Sequence, residues 1–295
     1  MPGQYGLNAG VEPDPGFTYA TLNVGYSANK LNDQYGNSHA EGANYDVWAL
    51  ENVFFYVPPV KVLGAKVVFM VTEPTFANGS LTTPAFGGSA GWGLADIWVQ
   101  PVTLAWHLPR ADVWTGYAFV APTGRYTPGA SNNIGSGYWG NDFTGAGTFY
   151  LLKNMGTAAN FMYNWETHGV RTDKDNIKVT PGATWTDEWG FSQALPLNKK
   201  MTKIAQAGLI GYDQAQTSAN TAANPVIDQI ERGVPFYSVH AIGFQGNYID
   251  LAKNFSVNFK WEHEYSAYAH PQGRTIVFAA VYTFGFPKAK PVPKP

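Results

Sequence analysis

Three stretches of this chain alternate apolar and polar residues with a period of two. In FSVNFKWEHEY, Phe255, Val257, Phe259, Trp261, His263 and Tyr265 share one face, and Ser256, Asn258, Lys260, Glu262 and Glu264 share the other. In RTIVFAAVYTFGF, Ile276, Phe278, Ala280, Tyr282, Phe284 and Phe286 lie opposite Thr275, Val277, Ala279, Val281, Thr283 and Gly285. ANFMYNWETH repeats the pattern, with Phe161, Tyr163 and Trp165 opposite Asn160, Asn164, Glu166 and His168. Side chains of a strand point alternately to its two faces, so this periodicity predicts β-strands with one strongly apolar face. The runs are about ten residues long. That exceeds the five or six usual in soluble sheets and suits a tilted strand crossing a bilayer.

The same reading along the whole chain predicts strands near 17–27, 45–57, 61–72, 92–107, 111–121, 139–152, 157–168, 178–195, 201–213, 234–249, 255–266 and 274–286. Their number, twelve, is even, as single-chain bacterial barrels require. The connections alternate in length. PPV, LPRA, LKNMG, PLNKK and DLAKN are tight, whereas SANKLNDQYGNSHAEGAN, EPTFANGSLTTPAFGGSAG, APTGRYTPGASNNIGSGY and QAQTSANTAANPVIDQIERG are long. Short turns on one side and long loops on the other predict an all-β, transmembrane antiparallel β-barrel with its termini on the short-turn, periplasmic side. Trp48, Tyr56, Trp92, Trp106, Trp114, Tyr117, Trp139, Tyr150, Trp165, Trp185, Trp189 and Tyr248 lie near strand ends, where two interfacial aromatic belts are expected.

Composition narrows the function classes. Charged residues are 14% and the formal net charge is -2, which argues against a nucleic-acid partner. There is no Cys, so thiol catalysis, zinc ribbons and disulfide scaffolds are excluded. No apolar run is long enough for a membrane helix, and the mean hydropathy of -0.20 agrees, as it would for alternating barrel strands. MPGQYGLNAG has no charged start followed by an apolar run, so the sequence is read as a mature chain without a signal peptide.

Two motifs resemble catalytic ones. Gly87-Gly88-Ser89-Ala90-Gly91 matches G-x-S-x-G but lies in a Gly-rich loop leading into a strand, without the helix a nucleophile elbow needs. Gly135 to Gly140 matches G-x-G-x-x-G without the strand and helix that hold a pyrophosphate. Glu262, His263 and Glu264 cannot converge on one metal, because His263 faces away from both carboxylates. The reading is therefore of a non-enzyme without cofactor or metal. Three alternatives remain at this point: an outer-membrane barrel enzyme acting on lipids, a surface adhesin using its long loops, and a secreted carbohydrate-binding sandwich.

A twelve-stranded barrel encloses more space than eight strands and less than a porin, enough for a narrow pore. Its inward faces supply Lys66, Asp96, Glu166, Lys260, Glu262 and Glu264, joined by Trp98, Gln100, Trp114 and Asn258 as pore-lining candidates. Lys260, Glu262 and Glu264 recur every ~6.8 Å along one face. Residues 1–16, with Pro13, Pro15 and several Gly, cannot be a strand but can fold back into the lumen and constrict it. Residues 17–286 form the barrel, and 287–295 (PKAKPVPKP) a Pro/Lys-rich periplasmic tail.

GLNAGVEPDPGFTYATLNVGYSANKLND, GWGLADIWVQP and RTIVFAAVYTFGF, in that order, resemble the outer-membrane channel family associated with the meta-pathway of phenol degradation. The likeness runs from Gly6 to Phe286, and its most recognisable parts are Pro13 to Phe17 and Gly93 to Pro101. The resemblance implies a monomeric barrel of about twelve strands. It also implies passive uptake of small hydrophobic or aromatic molecules through the bacterial outer membrane, with lipid, lipopolysaccharide and small solutes as the partners. Of the lumen candidates, the resemblance itself carries over only Asp96.

Overall fold

The computed structural model describes residues 2–39, 42–73, 75–83, 87–152 and 156–285. Phe286, expected to complete the last strand, and the 287–295 tail lie outside them. Twelve strands close into one antiparallel barrel, numbered in chain order. They are β1 (Gly16–Leu31), β2 (Asn44–Val57), β3 (Ala65–Thr72, resuming as Phe76–Thr82), β4 (Gly93–Leu94 and Ile97–Leu108), β5 (Ala111–Ala121) and β6 (Gly140–Tyr150). The second half comprises β7 (Thr157–His168), β8 (Thr184–Pro196), β9 (Lys203–Gln216), β10 (Ser238–Asp250), β11 (Phe255–Tyr268) and β12 (Pro271–Gly285). Each strand pairs with its sequence neighbours, and β1 closes the ring on β12 from Gly16↔Gly285 to Leu31↔Pro271.

Side-chain alternation decides which face goes where. Phe161, Phe191, Leu209, Phe244 and Phe278 stand outward and exposed, whereas Thr148, Asn160, Glu188, Gln245 and Lys260 point inward and are buried. The apolar side of the sheet is thus outside and the polar side inside, the reverse of a soluble protein. A closed barrel leaves no unpaired edge, so this wall satisfies its backbone hydrogen bonds against a lipid surround. Aromatic rings group toward both strand ends. Phe17 lies 6.1 Å from Phe284 and 5.9 Å from Phe54 near the short turns, while Phe143–Trp165 and Tyr163–Trp185, at 5.8 and 5.6 Å, lie near the long loops. Trp114 does not belong to these belts. It is 4% exposed and faces inward, where its Nε1 donates to the Ala9 carbonyl at 2.7 Å.

The turns follow local chemistry. Lys61–Val62 folds back on Ala65 and Lys66 through Leu63-Gly64, both at positive φ (51° and 77°), as a two-residue hairpin turn of mirror-image geometry demands. Two departures from the sequence reading concern strand ends. β3 does not stop at Thr72: after a break it resumes at Phe76 and pairs Asn44↔Thr82 through Leu50↔Phe76 with β2. The stretch is Ala, Asn, Gly and Ser, without apolar alternation, so it reads as loop. Residues Lys178–Thr180, expected to open β8, instead join Arg171–Thr172 and Thr221–Ala222 in a small sheet above the barrel, next to helix α1 (Pro225–Arg232). The long-loop end also contains one tight connection, Ala269-His270 between β11 and β12.

Candidate functional site

Residues 2–15 form no strand and hydrogen-bond to the inner wall of the barrel. Gly3 and Gly6 adopt φ of +81° and +61°, the left-handed region that glycine enters at no steric cost. The chain there turns its successive N–H groups to one side, making a backbone concavity for an anion. The Glu188 carboxylate of β8 sits in it. Oε1 accepts from Gly3 N at 2.7 Å and Gln4 N at 2.9 Å, and Oε2 from Tyr5 N at 2.8 Å and Gly6 N at 3.0 Å. The carbonyls of the same turn face Lys260, whose Nζ donates to Gly3 O at 3.1 Å and to Gln4 O. A carboxylate holds the amides and an ammonium holds the carbonyls.

The remainder of the segment is tied down residue by residue. Leu7 N donates to Gln245 Oε1 at 2.9 Å, and the Asn8 and Gln206 amides exchange two bonds of 2.7 and 2.9 Å. Gly10 N donates to Thr148 Oγ1 at 3.0 Å, and Lys66 Nζ reaches the carbonyls of Glu12 and Pro13 at 3.0 and 2.9 Å. These partners come from β3, β6, β8, β9, β10 and β11, so the segment is held from around the ring. Apolar contact adds to this: Ala9 packs with Trp114, Ala105, Ala146 and Met162, and the Tyr5 ring lies 5.8 Å from that of Trp114.

The expected lining residues divide into three groups. Lys260, Glu262 and Glu264 are inward and each 2% exposed. Glu264 accepts from Tyr26 and Tyr212 hydroxyls at 2.8 and 2.7 Å, whereas buried Glu262 Oε2 has no hydrogen-bond partner and a Cβ on Gly3 would overlap it. Lys66 reaches the segment, Gln100 is buried, Trp98 Nε1 donates to Asp142 Oδ2 at 2.6 Å, and Asn258, with a buried Oδ1, pairs between Asn247 and Ala279. Glu166 stands apart at the long-loop mouth, 3.0 Å from His168 Nε2, in a recess of about 240 Å³ also lined by Tyr138 and Tyr237.

Asp96 sits in the interruption of β4, between Gly93–Leu94 and Ile97–Leu108. Its Oδ1 accepts from Gly124 N at 2.8 Å, and its Oδ2 from Ser136 N and Oγ at 2.7 and 2.6 Å. It therefore binds the 122–139 loop to the start of β4, and the G-x-G-x-x-G stretch is part of that loop. Strand periodicity cannot place a residue lying between two strand pieces. Glu188, Glu51, Asp142, Gln206 and Gln245 are lumen residues that sequence reasoning missed. Thr184, Thr186, Glu188 and Ser192 do alternate with Trp185, Trp189 and Phe191, but Asp187 among the outward residues blurs the contrast. Among the described residues, none of the histidines hydrogen-bonds a serine.

Burial pushes the Glu12 carboxyl of the segment up to about 7, with Lys66 acting in the opposite direction. Among the described residues, the inward carboxylates Glu51, Asp112, Asp142, Glu166, Glu188, Glu262 and Glu264 outnumber the inward lysines Lys66 and Lys260.

Comparisons with known proteins agree with the barrel. The chain is similar over 96% of its length to the crystal structure of the COG4313 outer membrane channel from Pseudomonas putida F1, covering 99% of that chain with a TM-score of 0.74 at 11% identity. It is also similar to the β domain of the Bordetella autotransporter BrkA (TM-score 0.58, 11% identity, 92% of this chain and 100% of that one). The transport unit of the autotransporter AIDA-I from Escherichia coli follows at TM-score 0.53, 12% identity, and 95% and 92% coverage. At such identities the likeness is one of fold: that of outer-membrane barrels. Among curated proteins, none matches the sequence. The family model described as "Putative MetA-pathway of phenol degradation" matches residues 28–280, and the chain belongs to that family.

Proposed function

We propose that this protein is a channel of the bacterial outer membrane through which small hydrophobic or aromatic molecules diffuse passively. In this reading it acts as a monomer in contact with outer-membrane lipid and lipopolysaccharide, binds no cofactor and catalyses no reaction. The observation that carries the proposal is the polar inner wall. Apart from one small apolar cluster around Ala9 and Trp114, the side chains that hold residues 3–13 are amides, hydroxyls, carboxylates and lysines, groups that water or a solute can satisfy equally well once the segment leaves. An apolar core of interlocked side chains would have no such alternative. The segment then acts as a removable constriction, and Trp98, Trp114 and Met162 supply the apolar and aromatic contacts along the path. Family membership and the likeness to a channel of Pseudomonas putida support the same reading.

The test is planar-bilayer conductance of the detergent-purified chain, with and without small aromatic acids and alcohols. Discrete conductance steps that these solutes reduce in a concentration-dependent way are expected. A protein that inserts, shown by its heat-modifiable electrophoretic mobility, yet neither conducts nor lets these solutes into liposomes would overturn the proposal.

A further inference from the structure

On the outer wall, going up β11 and β12 from the short-turn end, the outward side chains are apolar or small for most of the height: Val257, Phe259 and Trp261 on one, Phe284, Phe278 and Ile276 on the other. The first basic side chains then arrive together. His263 pairs in register with Arg274, and Arg274 with Ser27 of β1, so the three stand side by side across neighbouring strands. Lys30 follows one step higher, after the register shift between Ala28 and Lys30. Together with Asn29 these residues line a groove of about 290 Å³, whose floor includes Trp261, its ring stacked with His263 at 6.2 Å and 9°.

Arg274, Lys30 and His263 are exposed, and none of them forms a salt bridge among the described residues. The nearest outward carboxylate across the strands, Asp46, lies one strand beyond Ser27 and accepts from Asn44 Nδ2. Unpaired cations are costly toward hydrocarbon, and that cost falls away at the depth of the headgroups, where anionic groups are at hand to meet them. Eight residues up a tilted strand of ~3.4 Å rise put His263 roughly 20 Å above the start of β11, near the upper limit of an apolar band about 25 Å tall. Headgroups lie at that height.

We propose that Arg274, Lys30 and His263 form a binding site for the phosphate-bearing headgroup of an outer-leaflet glycolipid. The guanidinium and ammonium take the phosphate oxygens by charge-assisted hydrogen bonds. Ser27 and Asn29 offer partners to sugar hydroxyls, and the aromatic wall below, from Trp261 to Phe278, receives acyl chains. The inference rests on the outer-membrane location proposed above and on the orientation expected from the loop lengths, with the long-loop end outermost, but not on what the channel carries.

The test is native mass spectrometry of the full chain in detergent, titrated with diphosphorylated lipid A, with the same glycolipid stripped of phosphate, and with inorganic phosphate as competitor. The wild type is expected to retain the phosphorylated form and not the stripped one. Affinity should fall about fivefold for R274Q or K30Q alone and about thirtyfold for both together. Equal retention of the two glycolipids by the wild type overturns the proposal without recourse to any variant. So does unchanged binding in a double variant that keeps its heat-modifiable mobility. Displacement of the lipid by inorganic phosphate at an equal concentration would reassign the groove to a free anion and overturn the lipid assignment. Conductance recorded on the same preparation separates this outcome from a failure of the channel reading.

Discussion

The Glu188 carboxylate receives four backbone N–H groups from residues 3–6, with Lys260 on the carbonyl side of the same turn. A hydrogen bond to a charged group contributes ~1.5 kcal/mol or more, so losing even two moves the docked-to-undocked ratio on the order of a hundredfold. Glu188→Ala is therefore expected to raise single-channel conductance or open time several-fold while the barrel remains folded. Gly3→Ala and Gly6→Ala should do the same by another route, because a Cβ at these positive-φ positions meets Glu262 Oε2 and Gln245 Oε1. Unchanged conductance in all three variants would mean that the segment is not held by this turn. Lys260 differs, since it is buried beside Glu188, Glu262 and Glu51. Lys260→Met leaves those carboxylates without their cation and is expected to destabilise the docked barrel by about 3 kcal/mol, read from urea unfolding followed by tryptophan fluorescence.

At the level of elements, the long loops are held by a few charged side chains. Asp96 caps the amides of Gly124 and Ser136, and Arg125 turns back to the carbonyls of Asn132 and Trp92 at 3.0 and 3.3 Å. Asp96→Ala releases one end of the 122–139 loop and should expose the bond after Arg125, speeding trypsin cleavage there by about tenfold; cleavage as slow as in the wild type would contradict this role. Such loop contacts were not legible in the sequence, because they depend on which loops meet in space. The strands were legible wherever period-two contrast is strong, as in β7, β11 and β12, and their inward residues Lys260, Glu262 and Glu264 were placed correctly by counting alone. The contrast fails in the second piece of β3, where Ala77 to Ser80 carry little hydrophobicity, and in β8, where Asp187 on the outer face obscured Glu188 on the inner one. The anchoring of the N-terminal turn could not be read at all. Glycines and prolines exclude a strand there, but they do not say which wall residue the freed N–H groups will meet.

On the scale of the whole molecule, the lumen has an excess of carboxylates over lysines, so the open channel is expected to prefer cations. A reversal potential of that sign in a KCl gradient is the corresponding measurement. The same charge pattern makes docking of the segment sensitive to pH. The Glu12 carboxyl has a value near 7 when docked and about 4.5 otherwise, because burial disfavours its charge more than Lys66 compensates for it. The groups facing it are Lys66, which holds its carbonyl, Asp14, 3.7 Å from Lys66 Nζ, and Tyr5. A group whose value is raised on docking favours the docked form fully while both forms are protonated, below about 4.5. That advantage shrinks as pH rises and is gone above about 7, weakening docking by up to about a hundredfold. Conductance should accordingly climb between about pH 5 and pH 8 and level off beyond. Glu12→Gln removes the titration but keeps the neutral shape of the protonated acid. It should hold the channel in its low-conductance state across the same range. A wild-type profile that falls with pH, or a Glu12→Gln profile as steep as the wild type's, would place the titrating group elsewhere in the lumen.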